Sequence, residues 1–292
     1  MDDDKRDGAQ SIERALMLVQ LVGSAGPDGA RLADLIAQSG LLKPTARRLL
    51  LALMRGGMVE QDEVSRRYFI GPEAYVLGVA ASARYGIHAL SLGGLSRIAL
   101  ASGDSAFVSV RRDSFSVCLH GEEGAFPIRT QVLKAGDRHP LGVGGGSLAI
   151  LSALPDEEIA QILEMNAEIL KEKYPTYWPK GQSITSDVLL RCVEDTRARG
   201  YALNQGILMP GSWGLGLPVR DAQGRPIGAL SIAAIESRLQ DDRCAELVPL
   251  LREEVRTLET ALRQPSSRTA ETQTNIKRGP AAATTRNRKV SR

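Results

Sequence analysis

Apolar residues in the segment 40–57 recur at the spacing of an amphipathic helix. The apolar positions follow the pattern i, i+3, i+4, i+7 and i+8, at Ala46, Leu49, Leu50, Leu53 and Met54. This pattern predicts one stripe that packs on neighbouring helices. The opposite face is basic and carries a hydroxyl group, with Lys43, Thr45, Arg47, Arg48 and Arg55. Such a helix suits a DNA major groove, although a solvated surface helix has the same pattern.

The segments around this helix favour the DNA-binding interpretation. Ser11 is a plausible N-cap for a helix over residues 11–22, turn-forming residues fill 23–29, and a second apolar pattern predicts a helix over 32–39 that ends at Gly40. Two short helices joined by a turn fit a helix-turn-helix. Residues 58–61 and 66–70 are β-prone runs around a polar tip, which predict a hairpin. A hairpin at this position is a wing, and Arg66 and Arg67 lie where a wing meets phosphate groups.

The remainder of the chain has a different pattern. Helices are predicted over 73–83, 88–100, 156–173, 186–200 and 241–262, with Thr185 or Ser186 as a cap. Strands are predicted over 104–111, 115–120, 128–133, 201–205, 213–220 and 226–235. A Gly-rich loop over 140–146 opens into an apolar segment over 147–154. Adjacent strands with helices on one side predict an antiparallel α+β domain, the shape of a small-molecule sensor.

Composition narrows the class of protein. The chain has 292 residues, 43% hydrophobic and 24% charged, which is ordinary for a globular protein with more than one core. No apolar run approaches the roughly 20 residues that span a bilayer, and the polar, acidic first residues do not suit a signal peptide. We therefore expect a cytoplasmic protein without a membrane partner. Three widely spaced cysteines argue against a disulfide framework or a zinc ribbon.

The net charge of +3 comes from the end of the chain. Residues 265–292 contain seven Lys or Arg and one Glu, so the first 264 residues sum to −3. Residues 265–292 also lack apolar periodicity and are expected to form a disordered basic tail. This tail either adds non-specific attraction to phosphates or is simply solvated.

Three groups of motifs together resemble the IclR family of bacterial transcription regulators. The first is SIERAL at residues 11–16. The second is KPTARRLL at 43–50, followed by Gly57 and YFIG at 68–71. The third is Pro140-Leu141 with its Gly-rich loop, then LSALPDEE at 151–158, RGY at 199–201 and LPV at 217–219. The resemblance extends from about residue 10 to residue 263, in the order that the family has.

The resemblance implies a winged helix-turn-helix over 10–71, a linker helix over 72–86 and a GAF-like effector domain over 87–264, before the tail at 265–292. It also implies a homodimer or homotetramer on a palindromic double-stranded DNA operator, more often as a repressor of a catabolic operon. The DNA-binding positions are Lys43, Thr45, Arg47, Arg48, Arg66 and Arg67. Arg47 or Arg48 is the expected base reader, and Lys43, Arg66 and Arg67 are expected phosphate contacts. The family often has a hydrophobic residue and a histidine where Ala46 and Arg47 stand, so its base preference does not transfer.

The same resemblance assigns the effector site. The candidate residues are Val143, Gly145, Gly146, Asn204, Trp213, Gly214, Ser231 and Ala233. Backbone N–H groups of a glycine loop that opens a helix attract anions. Small-acid binders of the family have an acidic residue, a cysteine and a second serine where Asn204, Gly214 and Ala233 stand here. Fewer polar groups and a neighbouring tryptophan indicate a carboxylate effector with a larger or more apolar body, such as an aromatic or branched acid.

Other functions have weaker support in the sequence. Cys118 and His120 lie two residues apart on a predicted strand, and such a pair can act as nucleophile and base in an enzyme, although neighbours on one strand seldom have the required geometry. The histidines 88, 120 and 139 lack metal-ligand spacing, and the Gly-rich loop is not a nucleotide-binding P-loop. We therefore expect no catalytic residue, no metal and no cofactor. A DNA-binding protein that has lost its ligand is the remaining alternative.

Overall fold

The protein is described by a computed structural model, which covers residues 4–82, 86–128, 133–174 and 183–263. The expected tail at 265–292 and most of the expected strand at 128–133 lie outside the described residues. Within the described residues, no helix combines the length and the apolar character that crossing a bilayer requires.

Three helices form the N-terminal core. They are α1 (Asp4–Ser24), α2 (Leu32–Ser39) and α3 (Lys43–Arg55). Helix α1 begins at Asp4, earlier than Ser11, which is therefore inside the helix and not its cap. Gly40 ends α2 in the left-handed conformation, at φ 65°, and its N–H donates to Ile36. The predicted stripe of α3 packs inward on α1, and Ala46 and Leu50 are fully buried.

A small antiparallel sheet follows α3. Strand β1 (Val59–Gln61) pairs with β2 (Tyr68–Ile70), and Ala30 exchanges two backbone hydrogen bonds with Tyr68 at the outer edge. The sheet is therefore tied to the turn between α1 and α2. Helix α4 (Pro72–Ser82) comes directly after β2.

The larger part of the chain is built on one antiparallel sheet. Its strands are β3 (Ser105–Arg112), β4 (Phe115–Glu122), β5 (Arg138–Pro140), β6 (Ala202–Met209), β7 (Ser212–Arg220) and β8 (Pro226–Ile235). Their order in space is β5-β4-β3-β8-β7-β6. Strand β5 was not predicted, and only Pro140 of it belongs to the expected glycine loop over 140–146; it pairs with β4, with His139 opposite Ser116.

Helices cover both faces of this sheet, so the expectation of helices on one side is wrong. Helices α5 (Ile87–Ser102) and α9 (Asp241–Arg263) pack on one face, with Val108, Leu215 and Ile232 of the strands. Helices α6 (Gly145–Ser152), α7 (Asp156–Lys173) and α8 (Ser186–Arg199) form a second core on the other face. The central strands are buried on both sides, and such strands have nearly continuous apolar runs that do not reveal a second layer.

Ion pairs and caps fix the helices around the sheet. Arg97 of α5 donates to Glu254 of α9 through two bonds of 2.7 and 2.6 Å. Arg238 likewise donates two hydrogen bonds to the carboxylate of the buried Asp104, at 2.7 and 2.9 Å. The Thr185 hydroxyl accepts from the Val188 N–H and caps α8, as expected. The predicted α+β class with an antiparallel sheet is confirmed.

Candidate functional site

The exposed face of α3 is basic and unpaired. The side chains of Lys43, Arg47 and Arg48 are exposed, and within the described residues none of them has a hydrogen bond or an acidic partner. Thr45 is half-buried at the start of the helix. Leu42 occupies the N-cap position with extended backbone and no side-chain cap, and the first turn contains no acidic residue. The helix therefore presents cations and free backbone N–H groups to solvent, an arrangement that attracts phosphate.

The wing is held by its own turn and by Arg67. Nη1 of Arg67 donates to the carbonyl oxygens of Asp28 and Gly29, both at 3.0 Å. This side chain, a predicted phosphate contact, thus also fastens the wing to the turn after α1. Arg66 is exposed, and its left-handed backbone at φ 58° is held by a hydrogen bond from Gln61 Nε2 to its carbonyl at 2.8 Å. Of the two arginines, Arg66 has the freer guanidinium.

Helix α4 is apolar but not buried. Tyr75 is 76% exposed and Leu77 is 52% exposed, and Val76 between them is exposed as well. Three consecutive helical positions point in three different directions. The helix therefore exposes apolar side chains around most of its circumference, whereas a helix that is apolar all round is normally buried.

A cavity lies between the start of α6 and the sheet. Its enclosed volume is about 30 Å³, which is room for about one or two water molecules. The lining comes from β3, β6, β7, β8 and the loop before α6. The lining residues are Phe107, Ser109, Leu133, His139, Gly144, Gly145, Gly146, Ser147, Asn204, Leu208, Ser212, Trp213, Gly214, Ser231, Ile232 and Ala233. No charged side chain is among them.

Glycines place α6 directly on the backbone of β7. A Cβ atom on Gly145 would lie 2.5 Å from the carbonyl carbon of Gly214, and one on Gly216 would lie 2.4 Å from the carbonyl oxygen of Gly145. These separations are shorter than van der Waals contact, so only glycine permits this approach. Gly214 therefore serves the packing of α6, where the family resemblance suggested only a lost polar contact. The approach brings the free N–H groups of the first turn of α6 to the cavity.

Most of the predicted effector residues meet at this cavity. Gly145, Gly146 and Asn204 line it together with Gly214, Ser231 and Ala233, as the lining shows. Val143 does not; it is fully buried in the core of α6 to α8. Trp213 borders the cavity but packs in the core beneath α5 and α9, on the opposite face of the sheet. Alternation along β7 causes this, because the neighbours of Gly214 point the other way.

Several lining residues were not predicted from the sequence. The polar residues among them are Ser109, His139, Ser147 and Ser212. Strand alternation could have indicated Ser109, since a serine amid the apolar run of β3 must face something polar. His139 could not be found in this way, because β5 was not predicted. Phe107, Leu133 and Leu208 supply apolar walls.

Three lining side chains, those of Asn204, His139 and Trp213, have buried polar atoms without partners in the described residues. Oδ1 of Asn204 accepts from the Ile207 N–H at 3.1 Å, which fixes the amide and leaves Nδ2 without a partner. Nδ1 of His139 is likewise unpaired, and so is Oγ of Ser116 on the adjacent strand. Burying a polar group without a hydrogen bond costs about 1–3 kcal/mol. The cavity thus concentrates unpaired polar groups that a ligand or water would satisfy.

Burial also sets the charge state of His139. It lowers the pKa of the imidazole from 6.5 to about 4, because the surroundings do not solvate the cation. The imidazole is therefore neutral at pH 7. Any anion in the cavity must be held by neutral donors and by the backbone N–H groups of α6.

Family comparisons agree with this architecture. The model of the IclR helix-turn-helix domain matches residues 11–63, and the model described as "Bacterial transcriptional regulator IclR C-terminal" matches residues 79–260. The chain belongs to the IclR family. Among curated IclR-type relatives, the HTH-type transcriptional repressor AllR of Klebsiella pneumoniae is 30% identical over 87% of this chain and 90% of its own. The glycerol operon regulatory protein of Streptomyces griseus is 30% identical over 84% of this chain and 92% of its own.

Solved IclR structures share the fold. An IclR transcriptional regulator from Alicyclobacillus acidocaldarius superposes with a TM-score of 0.70 at 24% identity, over 86% of this chain and 98% of its own. An IclR homolog from Microbacterium hydrocarbonoxydans, complexed with 4-hydroxybenzoate, superposes with a TM-score of 0.68 at 17% identity, over 86% of this chain and 98% of its own. The winged helix-turn-helix and the antiparallel C-terminal domain of the IclR family are therefore both present. The chain is a DNA-binding transcriptional regulator.

Among the described residues, the surroundings of Cys118 and His120 do not support the enzymatic alternative. Cys118 is fully buried, and burial raises the pKa of its thiol from 9.0 to about 12. Its Sγ contacts the backbone carbonyl of His120 at 3.7 Å, while the His120 ring is paired with Glu122 at 3.3 Å. A protonated thiol that faces a carbonyl has no base to activate it. Within the described residues, no cluster of three His, Cys, Asp or Glu side chains could hold a metal ion.

The depressed pKa of His139 predicts an acid-sensitive stability. As the pH falls from about 6.5 to about 4, His139 becomes protonated in the unfolded chain but stays neutral in the folded protein. The free energy of unfolding should therefore decrease by up to about 3 kcal/mol. Urea unfolding of the wild type and His139→Leu across this range measures the effect. The carboxylates titrate alike in both proteins, so their effect cancels when the unfolding free energy of His139→Leu is subtracted from that of the wild type. Parallel profiles for the two proteins would contradict the buried neutral imidazole.

Proposed function

We propose that this IclR-family protein is a ligand-responsive repressor of a catabolic operon. It binds a palindromic operator in the cytoplasm as a homo-oligomer, and a small organic acid changes its operator affinity. The observation that carries the proposal is the unpaired basic face of α3, held beside a wing and joined to a domain with a polar cavity. The relatives named as a repressor and as an operon regulatory protein support repression as the effect and an operon as the target.

The DNA contacts follow from the exposure of each side chain. Helix α3 enters the major groove with its N-terminal turns, and Arg48 or Arg47 reads the O6 and N7 atoms of a guanine. Lys43 and Arg66 bind phosphates, and Thr45 contacts backbone or base. Arg67 supports the wing and adds its remaining N–H groups to the phosphate contacts. We assign residues 10–71 to this DNA-binding domain.

The exposed apolar helix α4 supports self-association. Residues 72–86 join the two domains in this proposal, and a second copy of α4 is the natural cover for Tyr75, Val76 and Leu77. Ile12 and Leu16 on α1 are exposed apolar side chains as well. A dimer related by two-fold symmetry matches the two half-sites of a palindromic operator. Whether two dimers form a tetramer depends on the effector domain, residues 87–264.

The cavity supports an acidic effector. The N–H groups of α6, the Asn204 amide and the Ser231 hydroxyl can surround a carboxylate, while Phe107, Leu133 and Leu208 can contact an apolar body. No cation is among the described lining residues to balance a second negative charge. An aromatic or branched acid needs more than about 30 Å³, so the walls must separate on binding. Leu208 lies between Gln205 and Met209, where the pairing register of β6 with β7 shifts.

Two substitutions on α3 test its role in DNA binding, one at the proposed base contact and one at a proposed phosphate contact. Arg48→Ala should relax the preference at one operator position, because a base contact is lost. Lys43→Ala should weaken binding to all sequences alike. It should also reduce the salt slope, which is the slope of log affinity against log salt concentration, by about one. Fluorescence anisotropy on a set of single-base operator variants, repeated at several salt concentrations, measures both. Uniform weakening by Arg48→Ala would make it a phosphate contact.

The dimer interface is tested by a charge on α4. Leu77→Glu should convert the oligomer into monomers, because a carboxylate would be buried without a partner. Operator affinity should fall with it, since each monomer binds only one half-site. Sedimentation velocity and anisotropy measure the two effects. Met165→Glu on α7, where the side chain is 68% exposed, is the control and should change neither. A dimeric Leu77→Glu protein would exclude this interface.

The effector site is tested with a ligand panel of benzoate, 4-hydroxybenzoate, isobutyrate and glyoxylate, and with benzamide as an uncharged control. A carboxylate at 100 times its Kd should stabilise the protein by about 2.7 kcal/mol and raise its melting temperature. Ser231→Ala should weaken that ligand about tenfold by removing one hydrogen bond to a charged group. Ser152→Ala, also buried but bonded to Leu148 away from the cavity, is the matched control.

Two outcomes would revise this assignment. Tight binding of glyoxylate without binding of the aromatic acids would overturn the proposed effector size. Stabilisation by none of the acids, together with intact operator binding, would favour the ligand-independent DNA-binding protein.

A further inference from the structure

A leucine stands at the centre of the basic face of α3. Leu51 is 54% exposed, and at 3.6 residues per turn it lies about 100° around the helix from the buried Leu50 and about 140° from the buried Ala46. At helical spacing its neighbours on the surface are Arg47, Arg48 and Arg55, at i−4, i−3 and i+4. Leu51 is therefore an apolar side chain surrounded by guanidinium groups.

The protein's own core does not account for this leucine. Leu51 belongs neither to the buried cluster of α1, α2 and α3 nor to the partly buried residues packed against it. Single exposed leucines are common, and leucine is a good helix former, so helix propensity alone offers one explanation. The position of Leu51 distinguishes it from such cases, because the face that it occupies is the one that enters the groove in the proposed function.

The major groove offers one apolar group at the edges of the bases. That group is the C5-methyl of thymine, whereas the other edges present hydrogen-bond donors and acceptors. An exposed leucine pressed against those polar edges would remove water from their donors and acceptors without replacing the lost hydrogen bonds. Against a thymine methyl it would bury apolar surface, worth about 0.8 kcal/mol for each methyl-sized group.

We propose that Leu51 determines operator specificity by packing on the C5-methyl group of a thymine. The inference rests on the proposed entry of α3 into the major groove. Leu51 is three residues after Arg48, about 4.5 Å along the helix axis, and one base step rises about 3.4 Å. The thymine should therefore lie within about two base pairs of the base that Arg48 reads.

The experiment removes the methyl group alone. An operator is selected from random DNA with the wild-type protein, and each thymine of one half-site is replaced in turn by deoxyuridine, which keeps the base pairing. At one thymine the wild type should lose affinity about fourfold, the equivalent of about 0.8 kcal/mol. Leu51→Ala should bind the thymine and deoxyuridine operators equally well at that position. Alanine is the best helix former and the site is exposed, so the variant should fold.

Two controls separate this contact from general effects on binding. Leu100→Ala on α5, where the side chain is 85% exposed, should keep the wild-type response to deoxyuridine. Leu51→Ala should keep the wild-type salt slope, because no phosphate contact is lost, whereas Lys43→Ala should lower it. A changed slope for Leu51→Ala would mean that the helix has shifted in the groove and would overturn the proposal.

The outcomes also separate this inference from the proposed function. If Arg48→Ala relaxes one position but every deoxyuridine penalty is the same in wild type and Leu51→Ala, Leu51 does not read thymine and the regulator assignment stands. If neither Arg48→Ala nor Leu51→Ala alters binding to any operator variant, α3 does not enter the groove, and both proposals fail.

Discussion

The contact between the backbones of α6 and β7 is the constraint on which the C-terminal domain depends. Gly145, Gly214 and Gly216 bring the helix to the sheet at separations that no Cβ would tolerate. That approach aims the N–H groups of α6 at the sheet and encloses the cavity between them. A side chain at any of the three positions would lift the helix and open the core of α6 to α8. The polar cavity therefore exists because the domain lacks side chains at these three positions.

Unpaired groups mark both functional surfaces. Within the described residues, the cations of α3 have no carboxylate partners, and Nδ2 of Asn204 and Nδ1 of His139 are buried without hydrogen bonds. Neither arrangement stabilises the isolated chain, since like charges repel and unpaired polar groups cost free energy. Both become favourable when phosphates or a polar ligand supply the missing partner. A chain that meets its packing rules elsewhere and departs from them at two sites indicates where it binds other molecules.

A regulator also requires the two sites to influence each other. A ligand shifts operator affinity only by the difference in its own affinity for two states of the protein. The small enclosed volume and the irregular segment of β6 beside Leu208 are consistent with a cavity that changes shape when filled. Helix α4 follows the wing directly and exposes its apolar surface, so the proposed pairing of two copies of α4 is the element on which such a change would act.

Local sequence determined the winged helix almost completely. The periodicity around Ala46 and Leu50, the cap at Gly40 and the wing hairpin are short-range patterns. Helix α2 has the predicted bounds, and α3 lies within the predicted segment 40–57. The strands β7 and β8 were also predictable, because alternation and turn residues mark them. Tertiary structure alone decided what the patterns become in space: the second helical layer, the pairing of β5 that brings His139 to the cavity, and the burial of Val143 in the core of α6 to α8. These depend on contacts between residues far apart in the chain, and neither helical nor strand periodicity encodes which distant backbone a segment will meet.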